Sequence, residues 1–262
     1  MADAPFGTHA PNSVQTMLLR VIQGSRLKRG AFRPLMSRLI GPAPVDTTYQ
    51  GARFRLHHHD SGTERGALFN PRYNIEELDF LRQHLPAGGV FVDVGANVGT
   101  FAVVLALHVG ASGRVIAIEP HPTARARLRF NIGELPFRNV TLVEAAAGDI
   151  DGEVTIGTPS TNLGASRVGQ GDFKVPSRRL AGLLADNGID HVDALKIDVE
   201  GYEDKALVPF FRDAPATLWP TAVAIEHLER NLWAQDCIDD MVARGYAITG
   251  RTRSNTFLVR GA

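Results

Sequence analysis

Five short apolar runs recur from residue 90 onward: VFVDV at 90–94, RVIAI at 114–118, VTLVEA at 140–145, ALKIDVE at 194–200 and TAVAIEH at 221–227. Each is nearly continuous rather than alternating, the pattern of a strand covered on both faces. Between them apolar positions return at helical spacing, from Thr100 to residue 109, over 122–135, and after each of the last two runs. Strands alternating with helices predict an α/β domain built on a mostly parallel sheet. An earlier helix is expected from Asn74, read as its N-cap, with Glu76 and Glu77 in the first turn and a stop at Pro86, Gly88 and Gly89. Residues 152–157 (GEVTIG) read as a strand, 158–171 as a polar loop and 180–187 as a helix. The last stretch, 246–261, reads as two strands joined by a turn at 251–255, a hairpin closing one sheet edge.

The first fifty residues differ, so we divide the chain into an extension, 1–50, and a main domain, 51–262. Met17, Leu18, Val21 and Ile22, then Leu35, Leu39 and Ile40, sit at helical spacing, predicting two short amphipathic helices broken near 24–30. Residues 13–41 hold Arg20, Arg26, Lys28, Arg29, Arg33 and Arg38 and no acid. The segment reads as a cap packed on the main domain with its basic face in water, as a lid or platform for an anionic or lipid-linked substrate, or as a partner-binding helix that allows self-association or peripheral contact. Alternation over 49–56 predicts one short strand.

Composition narrows the classes. Net formal charge is zero, so no global field draws the chain to nucleic acid or to an anionic surface. Cys237 is the one cysteine, which excludes an internal disulfide and fits a reducing compartment. The longest apolar stretch, 101–109, falls far short of the ~20 residues of a membrane span, and the start lacks the order of a secretory signal. A cytoplasmic location is expected.

The chemistry gathers at the ends of the apolar runs. VFVDV ends on Asp93 and Val94, and Gly95 and Gly99 then open a helix. Glycines there allow a sharp turn and close approach of a ligand to backbone. A nicotinamide fingerprint needs three glycines, and Asn97 holds the middle position, which turns the loop toward S-adenosylmethionine, a ligand without pyrophosphate. Glu119, followed by Pro120, ends the next run, where an acid can accept both ribose hydroxyls. KIDVEG places Lys196, Asp198 and Glu200 on one side of a regular strand, with a Lys196–Asp198 structural pair as the alternative to a functional role. Glu226 and His227 end the last run; as neighbours on a strand they face opposite ways, so one at most meets a ligand.

Three other groups are set aside as sites, the histidine run at 57–59 being read as a surface or substrate-lid feature. Asn70, Pro71, Arg72 and Tyr73 lack the second proline of the box used by amino-methylating nucleic-acid enzymes. His57, His58, His59 and Asp60 have no partner set for a metal, and none is assigned. Arg125, Arg127 and Arg129, with no acid near in sequence, read as a solvated helix face.

DVGANVG, IEP, NLGAS and KIDVEGYE together resemble the FkbM-type family of S-adenosylmethionine-dependent methyltransferases, over roughly residues 73–259. The resemblance implies a seven-stranded Rossmann-like sheet with an antiparallel C-terminal hairpin. It implies a cofactor site of Asp93, Gly95, Ala96, Asn97, Gly99, Thr100, Glu119, Pro120, Ala146 and Ala147, with S-adenosylhomocysteine as product. Asp198 would lie near the transferred methyl group, and Asp198, Glu226 and His227 are the candidate bases. Asn162, Ser166 and Glu200 are expected to meet the acceptor, a small molecule methylated on a hydroxyl. Methylation at nitrogen or carboxyl, or a non-catalytic role as an adenosyl-binding partner, are the alternatives; nucleic acid is not expected.

Overall fold

The computed structural model describes residues 4–157, 167–169, 171 and 173–261. Helices α1 (Ser13–Gly24) and α2 (Arg33–Ile40) come first, separated by short 3-10 turns. Asn12 and Gln15 form a reciprocal capping box at the start of α1. The inner stripes of both helices, Leu19, Ile22, Met36 and Ile40, are buried.

The strand expected at 49–56 is instead half of a hairpin, β1 (Val45–Tyr49) and β2 (Ala52–Leu56). Its tip is Gln50 and Gly51, with φ of 49° and 88°. Two consecutive left-handed residues give the turn whose twist matches that of the strands. Helix α3 (Gly62–Phe69), which no sequence pattern announced, follows, capped by the Ser61 side chain accepting from the Glu64 amide. In α4 (Ile75–His84), Asn74 does hold the N-cap position, but at φ 53° it makes no side-chain cap bond.

The main run comprises β3 (Val90–Val94), α5 (Ala102–Val109), β4 (Arg114–Ile118), α6 (Pro122–Gly133) and β5 (Val140–Val143). Then come β6 (Ala146–Gly148), β7 (Gly152–Gly157), β8 (Arg167–Val168) and β9 (Phe173–Arg179), a second sheet in the order β6-β9-β7-β8. Residues 146–148, which hold the Ala146 and Ala147 of the expected cofactor site, are paired in a strand with β9. Asn162 and Ser166 lie outside the described residues. The chain returns through α7 (Leu180–Asp186), β10 (Ala194–Ile197), α8 (Glu203–Asp213), β11 (Ala222–Glu226), α9 (Cys237–Ala243), β12 (Tyr246–Arg251) and β13 (Asn255–Arg260).

The large sheet runs β12-β13-β11-β10-β3-β4-β5, parallel except where β13 meets β11 and β12. This is the seven-stranded arrangement with an antiparallel final hairpin that the resemblance implied. Alternate residues of one strand serve opposite cores: Phe91 belongs to one apolar cluster, and Val90, Val92 and Val94 to the other. The connection reverses between β3 and β10, and the carboxyl ends flanking such a reversal form a ligand crevice. Register sets Lys196 beside Asp93 and Ile197 beside Val94.

Arg127 on α6 is not part of a solvated face. Its guanidinium is largely buried and bonds Glu64 at 2.6 Å and Asp60 at 2.7 Å; Arg125 and Arg129 both pair with Glu144. Glu64 is fully buried, and burial pushes its carboxyl up to about 7 despite the arginine. Arg127→Met should therefore cost about 3 kcal/mol of unfolding free energy at pH 8, near the lower end for breaking a buried pair. The sign with pH follows from the raised pKa. A carboxyl that holds its proton more tightly when folded destabilises the native state as pH rises through that value. The loss in the variant should therefore shrink on acidification, which urea denaturation at pH 8 and pH 5.5 would measure.

Candidate active site

The loop after β3 is fixed by its own backbone. The Gly95 and Ala96 amides both donate to the Ile118 carbonyl at 3.0 Å, tying the end of β3 to the end of β4. Asn97 takes a left-handed φ of 50°, and its amide donates to Glu119 Oε2 at 2.8 Å. The His121 amide donates to Glu119 Oε1, also at 2.8 Å. Burial raises Glu119 to about 7, against the pull of those two amides. Asp93 is buried too, accepts from the Ala102 amide at 3.0 Å and so steadies the start of α5. Its pKa is likewise raised to about 7 by burial, with Lys196 opposing. At Gly99, with φ of 93°, a side chain would meet Leu128 and Val103, so helix packing requires glycine there.

Two adjoining hollows open above the sheet and share Gly95, Asn97, Asp198 and Glu200. The smaller is walled by Glu119, Pro120, Ala146, Ala147 and Tyr202. The larger, of about 400 Å³, takes in Asp93, Ala96, Thr100, Phe101, Lys196 and Glu226. It also gathers Thr63 from α3, Tyr73 from the turn before α4, and Ser254 and Asn255 from the last hairpin. None of these four was expected from sequence as a site residue. Tyr73, from the discounted Asn70–Tyr73 box, thus reaches the cavity for a reason unrelated to that box.

KIDVEG does not continue as a strand past Ile197. Asp198 and Val199 leave it, and Glu200 turns left-handed at φ 56°, so the three charges do not share the side of one regular strand. The Asp198 carboxylate is partly exposed and stands 3.5 Å from the buried Lys196 ammonium, the structural pair anticipated. Lys196 also donates to the Ile197 carbonyl at 3.1 Å and faces the Phe101 ring. Glu226 accepts from the Leu228 amide through Oε1 at 3.0 Å, whereas its Oε2 is buried without a partner among the described residues. Burial and then the Asp198 charge raise it to about 7. His227 turns away: its Nδ1 lies 2.9 Å from Thr256 Oγ1 on β13, outside the residues lining either hollow.

Asp198, Glu203 and Glu226 bring carboxylate oxygens within 4.8 Å of one another. Glu203, however, already accepts from the amides of Val199 and Gly201 and from the Trp233 indole. The remaining two carboxylates lie near the Lys196 ammonium, which balances part of their charge. The histidine run is also engaged. His58 is buried between Ser37 Oγ at 2.5 Å and the Ala43 carbonyl at 3.1 Å, and His59 reaches the Gly41 carbonyl.

Comparison with known proteins bears on this loop and crevice. The methyltransferase FkbM domain matches residues 93–235, from Asp93 past KIDVEG to the turn after β11. The chain belongs to the FkbM methyltransferase family. The matched span is more than half of the chain, and the cofactor of such methyltransferases is S-adenosylmethionine. Among curated proteins, the chain is 30% identical over 92 residues to a probable cobalt-precorrin-6B C(15)-methyltransferase (decarboxylating) of Sulfolobus acidocaldarius, covering 35% of this chain and 48% of that one. It is 40% identical over 52 residues to a protein-L-isoaspartate O-methyltransferase of Caenorhabditis elegans, 20% of this chain and 23% of that one. The chain thus spans about half, or less, of these relatives. A solved S-adenosylmethionine-dependent O-methyltransferase of Thermotoga maritima overlays 71% of this chain and 65% of its own, at 17% identity and a TM-score of 0.42.

The residues present fit the family's cofactor. Three of the buried polar atoms left without partners among the described residues, Asn97 Oδ1, Glu226 Oε2 and Asn255 Oδ1, belong to residues lining these hollows. An acidic residue whose carboxylate is held by two amides stands in the smaller one. Adenosine, amino and hydroxyl groups are what such atoms would bond.

Proposed function

We propose that the protein transfers a methyl group from S-adenosylmethionine to a hydroxyl of a small molecule, such as a sugar, polyketide or lipid metabolite. The buried carboxylate of Glu226, which lines the large cavity beside the family's cofactor loop and has one oxygen without a partner among the described residues, carries this reading. Glu119, Pro120, Ala146 and Ala147 would hold the adenosine end, and Asp93, Gly95, Asn97 and Asp198 the amino-acid end. When bound, the cofactor supplies an activated, electrophilic methyl group. The side chains must then place the acceptor, keep water out and receive a proton. Phe101 and Tyr73 provide the apolar walls, and Glu226 takes the hydroxyl proton.

The cavity's charge speaks for a neutral or cationic acceptor. Among the described residues its lining carries Asp93, Asp198, Glu200, Glu226 and Glu229 against a single cation, Lys196. A carboxylate substrate, or the phosphates of a nucleic acid, would enter against that field. Asn162 and Ser166 remain candidates for acceptor contact, and the 1–50 extension for setting acceptor choice. No helix among the described residues is long and apolar enough to cross a membrane; a cytoplasmic setting accords with the buried thiol of Cys237.

Titration calorimetry tests the cofactor. S-adenosylhomocysteine should bind and NADH should not; the reverse order would sink the reading. Glu119→Ala should weaken S-adenosylhomocysteine by roughly 1–3 kcal/mol, as for a lost charge-assisted bond. Ribose hydroxyls donate to the ionised carboxylate, so affinity should fall as pH drops below about 7 and Glu119 takes up its proton. The variant should lose that pH dependence. Methyl transfer itself is read by screening isotopically labelled cofactor against fractionated metabolites.

A further inference from the structure

Among the described residues, half of the exposed large apolar side chains lie within the first two helices and their junction. Val14, Met17 and Val21 on α1, with Phe32, Leu35 and Leu39 around α2, are each 43–63% exposed. On α1 the exposed three fall within one narrow arc, away from buried Leu19 and Ile22; on α2 Leu35 and Leu39 do the same opposite Met36 and Ile40. Each helix is therefore apolar on two sides, one spent on the core and the other in solvent. Arg20 borders the outer stripe of α1, and Arg38 that of α2. Residues 4–45 contain no acid, and Arg20, Arg26, Arg29 and Arg38 are exposed and make no ion pair among the described residues.

We propose that this face docks on an anionic lipid surface, the arginines meeting headgroup phosphates while the aliphatic stripes enter the boundary below them. Charge selects this occupant. A second copy would present the same face about a two-fold axis and set arginine against arginine with no acid to compensate. Nucleic acid would neutralise the arginines but leave the apolar stripes in water. An interfacial helix pair uses both features at once.

The docking face adjoins the cavity. α2 packs on α3, whose first residues, Gly62 and Thr63, line the large hollow. The Arg33 guanidinium lies 5.2 Å from the centre of the Tyr73 ring, and Tyr73 lines it too. Docking would bring the cavity near the headgroups. The acceptor class that follows, resting on the methyl-transfer reading above, is a lipid-anchored molecule offering a neutral hydroxyl.

Sedimentation of the full chain with vesicles tests the docking. Binding is expected to vesicles of phosphatidylcholine with phosphatidylglycerol, much less to phosphatidylcholine alone, and should weaken with salt. A variant combining Met17→Ser, Val21→Ser, Leu35→Ser and Leu39→Ser should bind roughly tenfold more weakly. Arg20→Gln with Arg26→Gln and Arg38→Gln should remove the preference for the anionic lipid. All these positions are exposed, and unchanged affinity for S-adenosylhomocysteine confirms that the variants fold. Failure of the wild type to sediment with anionic vesicles at low salt overturns the proposal. So does undiminished binding by the serine variant, or a dimer in ultracentrifugation that the serine variant abolishes. Loss of S-adenosylhomocysteine binding alone would remove the methyl-transfer reading and leave the docking intact.

Discussion

Replacing Glu226 with glutamine is expected to lower turnover by roughly 10²–10⁴-fold, the range for a lost general base, while S-adenosylhomocysteine affinity stays within about threefold. Glutamine keeps the shape of the side chain and its Oε1 bond from the Leu228 amide, and removes only the capacity to accept a proton. Glu226 is poised for that task because burial and the Asp198 charge lift it to about 7. A base works deprotonated, so wild-type turnover should rise with pH and level off above about 7. Glu119 and Asp93 carry similarly raised values and also face the hollows. The profile is therefore recorded at saturating cofactor, and the step that vanishes in the glutamine variant belongs to Glu226. Asp198→Asn is the companion measurement. If it removes the step and Glu226→Gln retains it, the proton goes to Asp198 and the assignment is exchanged.

Local chemistry made part of this site readable before the structure. A strand, a turn and a helix entry within ten residues bring Asp93, Gly95 and Asn97 together without help from the rest of the chain. Burial on both faces leaves the apolar runs of β3, β4, β10 and β11 almost unbroken, so the sheet was equally plain. What escaped depends on distant packing. Arg127 finds Glu64 across 63 residues, and no spacing rule joins them. Thr63, Tyr73 and Asn255 meet at the cavity because α3, the turn before α4 and the last hairpin converge there from distant parts of the chain. Glu77 on α4 fixes that hairpin by accepting from Thr252 Oγ1 at 2.8 Å and from Asn255 Nδ2 at 3.1 Å. The β1–β2 turn was missed for a different reason: Gln50 adopts a conformation that turns usually assign to asparagine or aspartate. Glu200 misleads in the same way, since its left-handed backbone ends the alternation that the sequence seemed to continue.

Gly95→Ala is expected to weaken S-adenosylhomocysteine binding by roughly 10²-fold or more, as a displaced site does, and to cost about 3 kcal/mol or more of stability. Two separate penalties meet at this position. Gly95 has φ of 82°, which costs a residue bearing Cβ about 1–2 kcal/mol. The added Cβ would also stand 2.0 Å from the Asp198 carbonyl oxygen, 3.0 Å from its carbonyl carbon and 3.2 Å from Val199 Cγ1. Backbone cannot rotate aside as a long side chain can, so the loop after β3 must part from the end of β10. Both hollows are shared across that seam, and their geometry shifts together. Gly110→Ala separates the penalties, because Gly110 has φ of 75° and, its chain neighbours aside, no described residue comes within 4 Å of the place its Cβ would take. It should lose only the conformational share, about 1–2 kcal/mol in urea denaturation, with cofactor affinity unchanged. If the two alanine variants behave alike, the close approach of Gly95 to Asp198 contributes nothing. If they differ as expected, the seam between β3 and β10 holds the loop after β3 and Asp198 in one register, which is why glycine alone fits there.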